Sequence, residues 1–294
     1  MEALRLVAGW PVREAAVGVA RLGHPTGPTG PERADVLGTT GPEDQTFSWA
    51  SVTKVATALA VLVAVEEGTL TLDQPAGPPG STVRHLLAHA SGLGPDPGPP
   101  LAAPGRLRIY SNAGYRALGD LLAERSGLSF ADYLRDGVLA PLGMSATALG
   151  PDDPAGPAAA GLGGPLTDLV RLAVEWAVPT LVGAVTHRDA VAVHFRGLAG
   201  VLPGFGRFEP CDWGLGVEVR GDKQPHWTGT TNSPATYGHF GRSGSFLWVD
   251  PAAGVLCAGL SDRPFGAWAE QSWPALADAV LAETRGGQSG TDPP

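Results

Sequence analysis

Cysteine is nearly absent from this chain of 294 residues: there are two, Cys211 and Cys257, and no C-x-x-C. That excludes a disulfide framework or thiolate metal cluster, and two buried free thiols are expected. Basic residues are also short, 20 Lys and Arg against 29 Asp and Glu, for a net charge of −9. With no basic run, nucleic acid is excluded as a partner. Long hydrophobic runs are missing: the longest without a charge, Val55 to Val65, cannot span a bilayer. The first residues are interrupted by Glu2, Arg5, Arg13 and Glu14 and lack the basic-then-apolar pattern of a secretion signal. A cytoplasmic location without membrane contact is therefore expected. Neither G-x-x-x-x-G-K-[ST] nor G-x-G-x-x-G precedes a helix, and no G-x-S-x-G occurs. Nucleotide binding and the nucleophile elbow of the α/β-hydrolases drop out.

Glycine and proline are plentiful, 42 and 28, but they fall between apolar segments without a repeat, which describes rigid turns. A hydrophobic content of 43% supports a sizeable core in one large domain or two lobes. Strands are expected over Ala15 to Arg21 and near Val36 to Thr39, around a turn-rich stretch Gly23 to Pro31. A helix opens at Ser51 and stops at Glu66-Glu67-Gly68. Ser81 or Thr82 caps a short helix Val83 to Ala90. The stretch Gly94 to Gly105 holds five prolines and reads as a rigid surface loop of the kind that walls an active site. Further helices are expected from Ser111 or Asn112 through Arg125, over Phe130 to Val138, from Thr167 through Trp176 and over Ala267 to Thr284. Short β segments fall at Gly214 to Val219, Tyr237 to Phe240, Ser245 to Val249 and Val255 to Leu260. Strands at both ends imply an antiparallel sheet built from both termini. The α/β lobe covers about 1–50 and 190–284, an inserted helical lobe about 51–189, and the tail 285–294 is disordered.

Three short patterns carry chemistry. Ser51-Val52-Thr53-Lys54 places a hydroxyl and an amine one helical turn apart, at a helix N-terminus whose free N–H groups suit a developing oxyanion. The same spacing also describes an ordinary N-cap followed by a solvated lysine. Yet Lys54 is the only cation between Arg33 and Arg84 and opens an apolar helix, where a charge needs a reason. Tyr110-Ser111-Asn112 aims a phenol and an amide the same way if extended, for proton relay and for holding a carbonyl or the lysine; it also reads as a core tyrosine before a helix cap. His239-Phe240-Gly241 sends His239 and the Gly241 position to one strand face, or is a surface histidine beside a turn glycine. Trp49 lines an acyl pocket or belongs to the core. His85 and His89 have zinc-pair spacing but no H-E-x-x-H and no third ligand, so they read as structural.

In that order, Ser51-x-x-Lys54, Tyr110-x-Asn112 and His239-x-Gly241 resemble the three motifs of the serine β-lactamase and penicillin-binding-protein superfamily. The chain is most similar to its class C-related branch of esterases and D-amino-acid peptidases. TVRHLLAHASGL (Thr82 to Leu93), PGRLRIYSNAGYRALGDLLAERSG (Pro104 to Gly127) and YLRDGVLAPLGM (Tyr133 to Met144) extend the similarity. The resemblance implies an α+β fold of the β-lactamase/transpeptidase type. It also implies a serine hydrolase with Ser51 as nucleophile, Lys54 and Tyr110 sharing the proton work, and Asn112 orienting the lysine or substrate. The amides of Ser51 and Arg242 would bind the oxyanion, and no cofactor or metal is needed. The family pattern has lysine in the third motif; here His239 stands, with an ordinary pKa of ~6.5, mostly neutral in the cytoplasm. Arg242 and Arg108 are the candidate cations to replace it for a carboxylate. An ester or small amide is the expected substrate. A β-lactamase or D-alanyl/D-amino-acid peptidase is the alternative, and a non-catalytic ligand-binding member the third reading.

Overall fold

Alternation along the terminal strands fixes the layout of the protein, whose computed structural model describes residues 1–23, 34–150 and 153–286. Val17, Val19, Phe246, Trp248, Val255 and Cys257 enter one core, while Ala16, Ala20, Leu247, Val249, Leu256, Ala258 and Leu260 enter another. Strands apolar on both faces need cover on both. They form a six-stranded antiparallel sheet in the order Ala34–Thr40, Ala15–Leu22, Val255–Ser261, Ser245–Asp250, Tyr237–Gly241, Glu218–Val219. Residues near the two chain ends are thus hydrogen-bonded neighbours, Ala15 opposite Ser261. Helix Ala267–Gly286 and the 3-10 segment Glu2–Gly9 cover one face, and helix Leu166–Ala177 packs on the other. This is the α+β arrangement of the β-lactamase/transpeptidase-like fold.

Helix Thr53–Glu66 is the axis of the larger core and has no solvated face: every residue from Thr53 to Ala64 is buried. Alanine, valine and leucine fill it, so helices Asn112–Ser126, Phe130–Leu134 and Pro157–Ala160 can press close around it. Both thiols, Cys211 and Cys257, are free and buried.

Several expectations need correcting. The α-helix begins at Thr53, because Ser51 sits in a 3-10 turn, Ala50–Val52, entered through Ala50 at φ 42. Only Glu218–Val219 of the segment Gly214 to Val219 is strand; Gly216, at φ 103 with its α-carbon pressed on Ala58, turns the chain away from a ladder. The helix expected over Phe130 to Val138 widens after Leu134 into a π-helical turn, Arg135–Leu139. Helix Ala184–Val191, and both Pro157–Ala160 and the strand Leu162–Gly164 inside a stretch read as loop, had no clear periodicity. Of the tail expected to be disordered, Arg285 and Gly286 are helical and 287–294 lie outside the described residues, as does most of the turn expected at Gly23 to Pro31.

Candidate active site

The turn before the central helix is docked from three sides. Trp49 N–H donates to the Leu162 carbonyl, its indole N–H to the Gly164 carbonyl, and its own carbonyl accepts from Ser245 Oγ. Strand Tyr237–Gly241 passes so near that a Cβ on Gly241 would stand 2.5 Å from both Ser245 Oγ and the Trp49 carbonyl oxygen. Only glycine fits there. Ala50, held in the left-handed region where L-residues are strained, completes a turn that presents Ser51, half-buried, to a cleft. Trp49 itself is wholly buried in the core and lies behind the cleft wall.

Lys54 is completely buried. Its Nζ lies 3.3 Å from Ser51 Oγ, 2.8 Å from Asn112 Oδ1 and 2.8 Å from the Ala159 carbonyl. Among the described residues no carboxylate comes within ion-pair distance of it. Burial holds its pKa well below the usual lysine range; Asp153 opposes that shift and Arg242 adds to it. An amine in this setting is available as a neutral base. It also lies 4.8 Å from the centroid of the Tyr110 ring.

Ser111 caps helix Asn112–Ser126, its Oγ accepting from the Gly114 amide, and its extended backbone separates Tyr110 from Asn112. Both side chains line the cleft. Burial raises the Tyr110 phenol above its ordinary range, although Ser51 lies near enough to favour the phenolate. Among the described residues no atom meets hydrogen-bond geometry with Tyr110 Oη.

His239 is buried with its Nδ1 2.7 Å from the Phe240 carbonyl. A carbonyl only accepts, so Nδ1 carries the proton and Nε2 a lone pair, for which no partner exists among the described residues. Burial first, then the Lys54 charge, pushes its pKa down to about 3, so the ring is neutral. The cleft, about 460 Å³, is completed by Pro95, Leu202, Pro203, Trp213, Phe240 and Phe265, with Glu218 and Arg242 among its polar walls. Of the proline-rich loop, Pro95 alone reaches it. Arg242 is 64% exposed at the side chain and pairs with Asp153 at 2.5 Å. Its amide and that of Ser51 make no hydrogen bond in turns or loops among the described residues. Arg108 is unavailable to a ligand: its buried guanidinium donates to the carbonyls of Ala88, Cys211, His194 and Phe195, and burial lowers its pKa to about 10.

Two participants carried little sequence signal. The Ala159 carbonyl that holds Lys54 belongs to a Pro/Gly/Ala stretch, and a backbone acceptor leaves no mark on residue type. His89 has zinc-pair spacing with His85, but His85 turns to Thr82 Oγ1 and the Phe195 ring. His89 instead packs 4.6 Å from the Tyr110 ring and 4.6 Å, edge-on, from Trp213. Its Nδ1 accepts the Ser111 amide at 3.1 Å and its carbonyl accepts the Ile109 amide, so one residue clamps the backbone on both sides of Tyr110. Among the described residues no group of three or more His, Cys, Asp or Glu is placed to hold a metal, and no helix is long and apolar enough to cross a membrane.

The Beta-lactamase family model matches residues 5–282. A solved β-lactamase from Mycobacterium bovis is 49% identical with a TM-score of 0.89, over 96% of this chain and 99% of its own. EstCE1, a hydrolase with promiscuous acyltransferase activity, superposes with a TM-score of 0.72 at 18% identity, covering 95% of this chain and 96% of its own, a likeness of fold alone. Penicillin-binding protein 4* of Bacillus subtilis (strain 168) is 30% identical over 134 residues, 34% of this chain and 30% of that protein. That match spans less than a third of the relative's length.

Proposed function

Because the chain belongs to the β-lactamase family, we propose that it is a serine hydrolase that forms an acyl-enzyme at Ser51 and acts on esters or small amides. The observation that carries this reading is Lys54 Nζ, buried without a carboxylate partner, beside Ser51 Oγ and Asn112 Oδ1. Ser51 Oγ attacks the substrate carbonyl carbon as its proton passes to neutral Lys54, which is the base; the raised Tyr110 pKa keeps that residue a phenol. The amides of Ser51 and Arg242 hold the oxyanion. As the intermediate collapses, Tyr110 gives its proton to the leaving oxygen or nitrogen and recovers one from Lys54. Water then attacks the acyl-enzyme by the same route, and the acid departs. Asn112 keeps Lys54 aimed. The part of His239 is to meet substrate.

A fluorophosphonate probe should label the native protein at Ser51 and leave Ser51→Ala untouched. Equal labelling of both removes the assignment. The relative from Mycobacterium bovis favours a second reading, β-lactam hydrolysis, with Arg242 as a cation in the cleft wall. A p-nitrophenyl ester, nitrocefin and a D-alanyl peptide assayed side by side decide the order; nitrocefin turnover without ester turnover reverses it.

A further inference from the structure

We infer that the cleft selects substrates carrying a neutral hydrogen-bond donor, a hydroxyl or an N–H, near the scissile carbonyl, and that His239 Nε2 receives it. This rests on the acyl-enzyme reading above and narrows its substrate class. The Nδ1 proton is committed to the Phe240 carbonyl, which leaves Nε2 able only to accept. That atom is shielded from bulk water and unpartnered, in a residue that lines the cleft beside Ser51. Trp213 stands edge-on at 5.5 Å between ring centroids and Tyr110 at 5.9 Å, so aromatic rings flank it. A buried acceptor left unmet in the free protein gains when a ligand brings the missing donor.

The charges around it argue the same way against an anion. The chain has two lysines, Lys54 and Lys223; the first is held by three neutral acceptors and the second is paired with Glu218. Arg108 is saturated by backbone carbonyls, and Arg242 sits at the exposed rim in a pair with Asp153. The remaining charge in the wall is the Glu218 carboxylate. A substrate carboxylate placed at His239 would face a lone pair, whereas a hydroxyl or N–H completes it.

Matched esters test this on both sides of the bond: phenyl 3-hydroxybutyrate against phenyl 3-methoxybutyrate, and 3-(hydroxymethyl)phenyl butyrate against 3-(methoxymethyl)phenyl butyrate, with monophenyl succinate and 3-carboxyphenyl butyrate as anions. The hydroxyl member of at least one pair should show about tenfold higher kcat/KM than its ether, and the anions should be slowest. In His239→Phe that ratio should fall to about one. Two-bond nitrogen–proton spectra of histidine-labelled native protein at pH 7 should show Nε2 of His239 without a proton. Equal rates within both pairs, anions as the fastest substrates, a ratio that survives His239→Phe, or a protonated Nε2 would each overturn the inference. Should His239→Phe fail to fold, the native ratios and spectra still decide. Failure of the fluorophosphonate to label Ser51 would remove the acyl-enzyme reading itself, whereas a labelled enzyme with flat ratios removes this inference alone.

Discussion

The protein buries both of its lysines and treats them in opposite ways. Lys223 meets the Glu218 carboxylate at 2.8 Å, inside a cluster where His226 Nε2 and the Trp227 indole also donate to Glu218. Burial works against ionised Glu218, but His226 and then Lys223 outweigh it and bring its pKa down to about 2. Among the described residues Lys54 has neutral acceptors and no acid of its own. Lys223 has an acid at short range, whereas Lys54, surrounded by carbonyl, amide and hydroxyl oxygens, is held by burial well below the usual lysine range. The first arrangement holds a strand at the cleft wall, and the second supplies the base of the proposed reaction.

Exchanging the two lysines for methionine should separate these roles most sharply. Lys54→Met should lower kcat/KM by about a thousandfold or more with stability little changed, since loss of a buried amine relieves its desolvation. Lys223→Met removes one of the three groups that hold the buried Glu218 carboxylate, leaving His226 and Trp227, and should cost about 1–3 kcal/mol in urea unfolding while the folded fraction keeps its turnover. Equal effects of the two on activity would erase the contrast. Acid should separate them next. Lys54 has a depressed folded pKa, so activity is present above it and is lost as pH falls through it; a kcat/KM profile whose acid limb lies at the ordinary lysine value would contradict this. Glu218 has a folded pKa lowered from 4.5 to about 2, so its stabilisation is complete above 4.5 and fades as pH falls toward 2. Melting curves of Glu218→Gln should lose that slope. Gly241→Ala, which forces the strand off the Trp49 carbonyl, should cost about 1–3 kcal/mol and depress kcat more than KM. Smallest is His89→Phe: it keeps a ring behind Tyr110 but leaves the Ser111 amide unmet, and should slow Ser51 acylation about tenfold, with partial recovery in His89→Asn, which tolerates the left-handed backbone at φ 53.

The contrast also marks how far the sequence alone reaches. Ser51 and Lys54 are legible as neighbours because three residues along a turn is a local distance, and the extended Ser111 makes Tyr110 and Asn112 legible in the same way. The short apolar segment Val255 to Leu260 is legible as a strand, and the structure buries both of its faces. What brings Lys223 to Glu218, or the Ala159 carbonyl to Lys54, is the path of loops rich in glycine and proline, where no periodicity survives. Trp49 carries an aromatic ring suited to pocket or core, and only the passage of Leu162–Gly164 beside it settles which. His89 shows the same limit, since its partners are a backbone amide and three rings from other segments.

The pairing of Ala15 with Ser261 and the packing of Gly241 on the Trp49 turn have a temporal consequence. Contacts so distant along the chain close slowly, because most of the polypeptide must be gathered before any of them forms. A partly synthesised chain that has emerged past Lys54 holds Ser51 and Lys54 but neither the strand nor the hairpin that braces their turn. Hydrolytic competence should therefore appear late, after the Tyr237–Ser261 segment has joined the N-terminal strands, and with it the first moment at which Ser51 can be acylated.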